Sequence, residues 1–192
     1  MNNFIFKLNN TQRNNNSRIV YSNPNPIINN HSGKKYNPEA EISKARAWGV
    51  ITWMLFHTLA EKIKNNYFTS YIHTILIFIQ KICNCLPCPY CREDAKKYLS
   101  SFNFSLIKSK MDLKLFIYDF HNNVNKKLGN ENSPIKILEK YENLDIINVI
   151  NLWSQYFTRY GIEAQEFMEG MQRNSVKNEL YNFIIKNRHI FN

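Results

Sequence analysis

The chain has 192 residues, 44% of them apolar and 14% aromatic, which is enough for a core of several helices and excludes wholesale disorder. Four cysteines are too few to replace a core with disulfides. The formal charge is +10, from 25 Lys and Arg against 15 Asp and Glu, so an acidic partner such as nucleic acid has to be considered. Yet Asn (29), Ile (23) and Lys (18) together make 70 residues, and all three have A/T-rich codons. Nucleotide bias therefore accounts for much of the lysine. Half of the charge excess also sits in residues 1–38, which hold Lys7, Arg13, Arg18, Lys34 and Lys35 and no acid.

Residues 1–38 are Asn-rich, broken by Asn23-Pro24-Asn25-Pro26 and Ser32-Gly33, and read as a disordered basic arm. The opening apolar patch is too short for a signal peptide, and the run Tyr71–Ile82 is too short to span a bilayer. The expectation is a soluble cytoplasmic protein without a membrane span. From Pro38, Glu39 and Glu41 load a first helical turn, and Ala47, Val50, Ile51, Met54, Leu55 and Leu59 follow at helical spacing. A second helix is predicted over about Thr69–Cys83, ending at Leu86-Pro87, and a third opens at Cys88-Pro89-Tyr90-Cys91. A fourth covers about Lys110–Leu128 and stops at Gly129. Ser133 then caps a short helix with Pro134 in its first position.

No stretch shows strand alternation. The expected fold is all-α: a four-helix bundle with a short fifth helix in 39–144, followed by a helical extension in 145–192. That extension is read as two or three helices (Ile146–Tyr160, Ala164–Met171, Val176–Asn187), with Gly161 and Gly170 as breaks.

All four cysteines lie within Cys83-x-Cys85-x2-Cys88-x2-Cys91. Three readings stand side by side. Cys88 and Cys91 can form a redox dithiol at a helix N-terminus, where the dipole and free amides stabilise thiolate. All four can ligate a metal or cluster, although the second cysteine pair of a zinc knuckle is missing. Or all can be small buried hydrophobes.

The neighbouring helices add chemistry. Gly49, Trp53 and His57 recur every four residues and share one helix face. Mid-helix glycine costs about 1 kcal/mol against alanine and marks close approach. On the fourth helix Tyr118, His121, Asn122, Val124 and Asn125 form a polar-aromatic cluster, although asparagine is a poor helix former. Two such stripes beside a CxxC suit a flat, heteroatom-rich cofactor.

Gly49-x3-Trp53-x3-His57-Thr58-Leu59-Ala60, then Pro87-Cys88-x2-Cys91, then His121-Asn122-x-Val124-Asn125-x2-Leu128-Gly129 resembles the Erv/ALR family of FAD-linked sulfhydryl oxidases. Order and spacing agree over about residues 44–142. The phrase His121-Asn122-Asn123-Val124-Asn125 is similar to members encoded by large cytoplasmic DNA viruses.

The resemblance implies FAD in the mouth of the bundle and a homodimer. Its cofactor contacts carry over to Gly49, Trp53 and His57, then to Tyr118, His121, Asn122, Val124, Asn125 and Lys126, and to Tyr141. It also implies Cys88 and Cys91 as catalytic cysteines, Cys88 attacked first by the substrate thiol and Cys91 facing the flavin. O2 is the implied acceptor, giving H2O2, and no metal takes part.

Three departures matter. Asp119 stands where relatives often have a histidine, the further structural disulfide is absent, and the tail holds no shuttle cysteines. A separate dithiol carrier or substrate protein is therefore the expected electron donor. Cys83 and Cys85 are read as buried thiols. The competing expectation is a four-cysteine metal-binding module that contacts nucleic acid through its basic arm.

Overall fold

The computed structural model describes residues 3–6, 19–22, 47–158 and 164–192. Two short strands, β1 (Asn3–Phe6) and β2 (Ile19–Ser22), pair antiparallel with Phe4 opposite Tyr21 and Phe6 opposite Ile19. This departs from the reading of 1–38 as an arm without strands. The rest of the arm, and the first helical turn expected at Glu39 and Glu41, lie outside the described residues.

Everything else named is helical. Helix α1 (Ala47–Lys62) is buried around its whole circumference: from Gly49 to Ala60 only Trp53 is partly exposed. A helix with no polar face must be surrounded. Helix α4 (Lys110–Lys127) packs along one side, helix α5 (Ile146–Phe157) along another, and a 3-10 helix (Ile135–Tyr141) closes over it. Helix α2 (Asn65–Asn84) is amphipathic and buries Phe68, Ile75, Ile79 and Ile82. Helix α3 (Pro89–Ser101) packs on α2 through a thinner stripe.

Local chemistry sets the boundaries that matter. Ser109 and Asp112 form a reciprocal capping box at the start of α4. At its end Gly129 takes φ 71, while Gly129 N–H bonds Lys126 O (3.1 Å) and Asn130 N–H bonds Asn125 O (2.9 Å), a Schellman closure. The sequence placed that stop correctly.

The short helix after it differs from expectation. It is a 3-10 helix beginning at Ile135, Pro134 takes the cap position, and no side chain caps it. Ser133 instead has its backbone held by α4: Asn122 Oδ1 accepts from Ser133 N (2.9 Å), and Tyr118 Oη–H donates to Ser133 O (2.7 Å).

The extension forms helices α5 and α6 (Ala164–Lys186). Gly170 does not break α6. A lone glycine costs only about 1 kcal/mol, and here the Glu169–Arg173 pair spans it while Val176, Leu180 and Ile184 anchor the helix below. Gly161 lies outside the described residues.

Trp153 of α5 is fully buried against α1, its Nε1–H donating to Thr52 Oγ1 at 3.1 Å. Phe183 of α6 meets Phe78 of α2, ring centroids 5.2 Å apart. The last residues return to the α1–α2 junction, where Lys64 N–H bonds Ile190 O (2.9 Å) and Asn192 N–H bonds Lys62 O (2.8 Å). Among the described residues no helix is long and apolar enough to cross a membrane.

Candidate functional site

The histidine stripe of α1 and the His/Asn face of α4 meet in the core. His57 Nε2 and His121 Nδ1 lie 3.1 Å apart and share one proton, one ring donating and the other accepting. Trp53 stacks flat on His121 (centroids 4.2 Å, 8° between planes). Tyr141 stacks on His57 in the same way (4.4 Å, 9°). Four planar rings from α1, α4 and the 3-10 helix thus form two stacked pairs joined by a hydrogen bond.

Burial governs their charge. The pKa of His57 is pushed down to about 3, first by desolvation and then by the Lys114 ammonium. That of His121 is lowered well below its ordinary value by burial and then by His57. Both imidazoles are neutral at physiological pH. Burial raises the Tyr141 hydroxyl, so it stays protonated. His57 Nδ1 is buried without a hydrogen-bond partner, and such an atom asks for an explanation in a native core.

The cysteines divide into two pairs. Cys88 and Cys91 are joined as a disulfide, with Cα atoms 5.2 Å apart, at the N-terminus of α3. Cys88 is the N-cap, and its Sγ accepts from the Cys91 backbone N–H at 3.2 Å. Both are half-buried, and Cys91 packs against the hydrophobic core. Tyr90 between them is 73% exposed.

Cys83 and Cys85 are buried free thiols. The Cys85 thiol donates to Lys81 O at 3.1 Å, and burial pushes its pKa up to about 11 against the pull of Arg173 and Arg92. Burial raises Cys83 further. Two sulfurs are thus bonded to each other, and two are buried thiols held in the neutral form. Among the described residues no group of three or more His, Cys, Asp or Glu is placed to hold a metal ion.

An aromatic path links the disulfide helix to the histidine cluster. Tyr98 of α3 stacks on Phe120 (4.5 Å, 8°), and Phe120 meets Trp53 edge-on at 5.1 Å. Of the residues expected to hold a cofactor, the fold brings Trp53, His57, His121 and Tyr141 into one cluster. Gly49 is buried two turns before His57 on α1. Tyr118 and Asn122 are engaged with Ser133, Asn125 is buried with its Nδ2 donating to Asn122 Oδ1 (3.4 Å), Val124 is half-buried and Lys126 is exposed.

Sequence reasoning missed Tyr98, Phe120 and Lys114. Phe120 could have been found beside His121, since Phe116 and Phe120 sit four apart on α4. Lys114 gave no signal, because its partner Glu61 lies on α1.

The model of the Erv1 / Alr family matches residues 50–144. The FAD-linked sulfhydryl oxidase of African swine fever virus is 35% identical over 101 residues in a Kenyan pig isolate, covering 50% of this chain and 78% of that protein. In a Malawian tick isolate the identity is 29% over 104 residues, 54% of this chain and 84% of the relative. A protein of Invertebrate iridescent virus 6 is 28% identical over 99 residues, 48% of this chain and 89% of its own length. No solved structure matches. The disulfide and the histidine cluster fall inside the matched segment, and the chain belongs to the Erv1 / Alr family.

Proposed function

We propose that this chain is a FAD-dependent thiol oxidase that makes disulfides in a substrate or carrier protein. The observation that carries the reading is the Cys88–Cys91 disulfide at the start of α3 in a chain of this family.

A substrate thiolate attacks Cys88 Sγ, and Cys91 leaves as a thiolate within the first turn of α3, where the helix N-terminus favours negative charge. The second substrate thiol then attacks the substrate's own sulfur in the mixed disulfide and releases Cys88. The Cys91 N–H that already bonds Cys88 Sγ stabilises this second leaving group. Two substrate thiols become one disulfide, and two electrons and two protons end on Cys88 and Cys91.

FAD, when bound, supplies a two-electron acceptor that O2 returns to its oxidised state, yielding H2O2. The residues present fit such a group. The stacked rings offer flat apolar faces, the unpartnered His57 Nδ1 is a polar atom in want of a ligand, and the neutral imidazoles place no charge against a flavin. In this reading Gly49, Trp53, His57, Tyr118, His121, Asn122, Val124, Asn125, Lys126 and Tyr141 hold the cofactor. Lys126 is the exposed cation available to a phosphate.

The protein acts in the host cytoplasm on a separate dithiol protein and works as a homodimer, which sedimentation equilibrium checks. The test is direct. Purified protein should be yellow, release one FAD per chain on denaturation and consume O2 with a dithiol, and Cys91→Ser should abolish turnover. Colourless protein that holds stoichiometric zinc and binds DNA in a salt-sensitive way would sink the reading.

A further inference from the structure

Arg92 directly follows Cys91, and its guanidinium ties three pieces of chain together. Nη1 donates to Leu86 O (3.0 Å) and to Glu169 Oε2 (2.8 Å), while Nη2 donates to Glu169 Oε1 (3.0 Å). Leu86 lies between Cys85 and Cys88, so one side chain joins the segment leading into the disulfide, the helix leading out of it, and α6. The bridge to Glu169 is two-pronged, the geometry in which an Arg–carboxylate pair adds directional specificity as well as energy.

Glu169 also pairs with Arg173 at 3.7 Å, and the Arg173 side chain is only 2% exposed. Two guanidiniums therefore share the Glu169 carboxylate beside the disulfide segment. Both guanidiniums act electrostatically on the neighbouring Cys85 sulfur. Glu169 and Arg173 lie outside residues 50–144, the segment that the family shares.

We infer that Glu169 is a positioning residue through which the C-terminal extension sets the reduction potential of the Cys88–Cys91 couple, by holding Arg92 in place and limiting the positive charge its thiolates meet. The inference rests on the proposed redox role of that couple. Reduction by an external dithiol converts the protein disulfide and two thiols into two cysteine thiols and an external disulfide. Any positive charge left unbalanced nearby favours the reduced, thiolate-bearing side.

The test equilibrates the full chain anaerobically with reduced and oxidised dithiothreitol at mildly alkaline pH, then counts free Cys88 and Cys91 by alkylation. Glu169→Gln keeps the shape of the side chain and removes its charge. It should shift the equilibrium about tenfold toward the dithiol, or about 30 mV for two electrons. Arg92→Gln should shift it in the opposite direction. Arg92→Lys, which keeps charge and loses the fork, should move it less than either.

Opposite signs are the signature, because mere loosening of the site would move both Gln variants the same way. Unchanged potentials, or shifts of the same sign in folded variants, overturn the inference even if the wild type oxidises thiols. A wild type that shows the predicted shifts but has no oxygen-dependent thiol oxidation keeps this inference and removes the proposed function instead.

Discussion

His57 and His121 are buried together with one proton between them, and the cost of that arrangement depends on pH. Above pH 6.5 a histidine is neutral in the folded and the unfolded chain alike. Below it the unfolded chain binds protons that the folded His57 refuses until about pH 3. The unfolded state then holds more protons, so His57 makes stability fall as pH falls through this window, by up to about 1.4 kcal/mol per pH unit, and His121 acts in the same direction. Melting temperatures should therefore drop steeply on acidification. A His57→Gln/His121→Asn variant, which retains hydrogen-bonding atoms in place of Nε2 and Nδ1, should lose less over the same range. Parallel melting curves for the two proteins would contradict this account.

The thiols make a second residue-scale prediction. Cys83 and Cys85 are buried and held in the thiol form, whereas Cys88 and Cys91 are half-exposed at a helix N-terminus. After gentle reduction, iodoacetamide should modify Cys88 and Cys91 in the folded protein and reach the other two only after unfolding. Peptide mapping by mass spectrometry reads the difference.

At the scale of elements, α6 shows how tertiary support overrides a local break. Among the described residues the Cβ of an alanine at 170 would meet only Arg173 Nη2, at 3.9 Å, an ordinary contact. Gly170→Ala should then raise stability by about 0.5–1 kcal/mol, as expected for removing a mid-helix glycine. A loss of stability in urea denaturation would mean that the Glu169–Arg173 bracket needs the glycine.

The loop after α4 makes a related point. Ser133-Pro134 has the form of a helix start, yet the Ser133 backbone is captured by Tyr118 and Asn122 from fifteen and eleven residues upstream. That capture delivers Tyr141, eight residues further on, to the ring of His57. A local capping signal lost to hydrogen bonds that the chain can make only once it has turned back on itself.

For the whole molecule, the C-terminal extension belongs to the same core as the family segment. Trp153 is fully buried on α1, α6 packs on α2, and the last residues bond to the α1–α2 junction. Trp153→Ala should cost about 3–5 kcal/mol and lower a single cooperative thermal transition. Two separable transitions, with only one of them affected, would instead mark the extension as an independent unit.

Much of the fold was legible beforehand. Helical periodicity, the Gly129 stop, the disulfide helix opening at Cys88 and the shared face of Trp53 and His57 are all short-range, and short-range geometry follows from side-chain type and spacing. Which rings stack, which sulfurs stay buried, and which arginine meets which glutamate across 77 positions were decided only by the tertiary structure. Those pairings join residues whose local sequence carries no trace of one another. They arise when burying an apolar helix such as α1 forces distant polar groups into the same dry space, where each must find a partner.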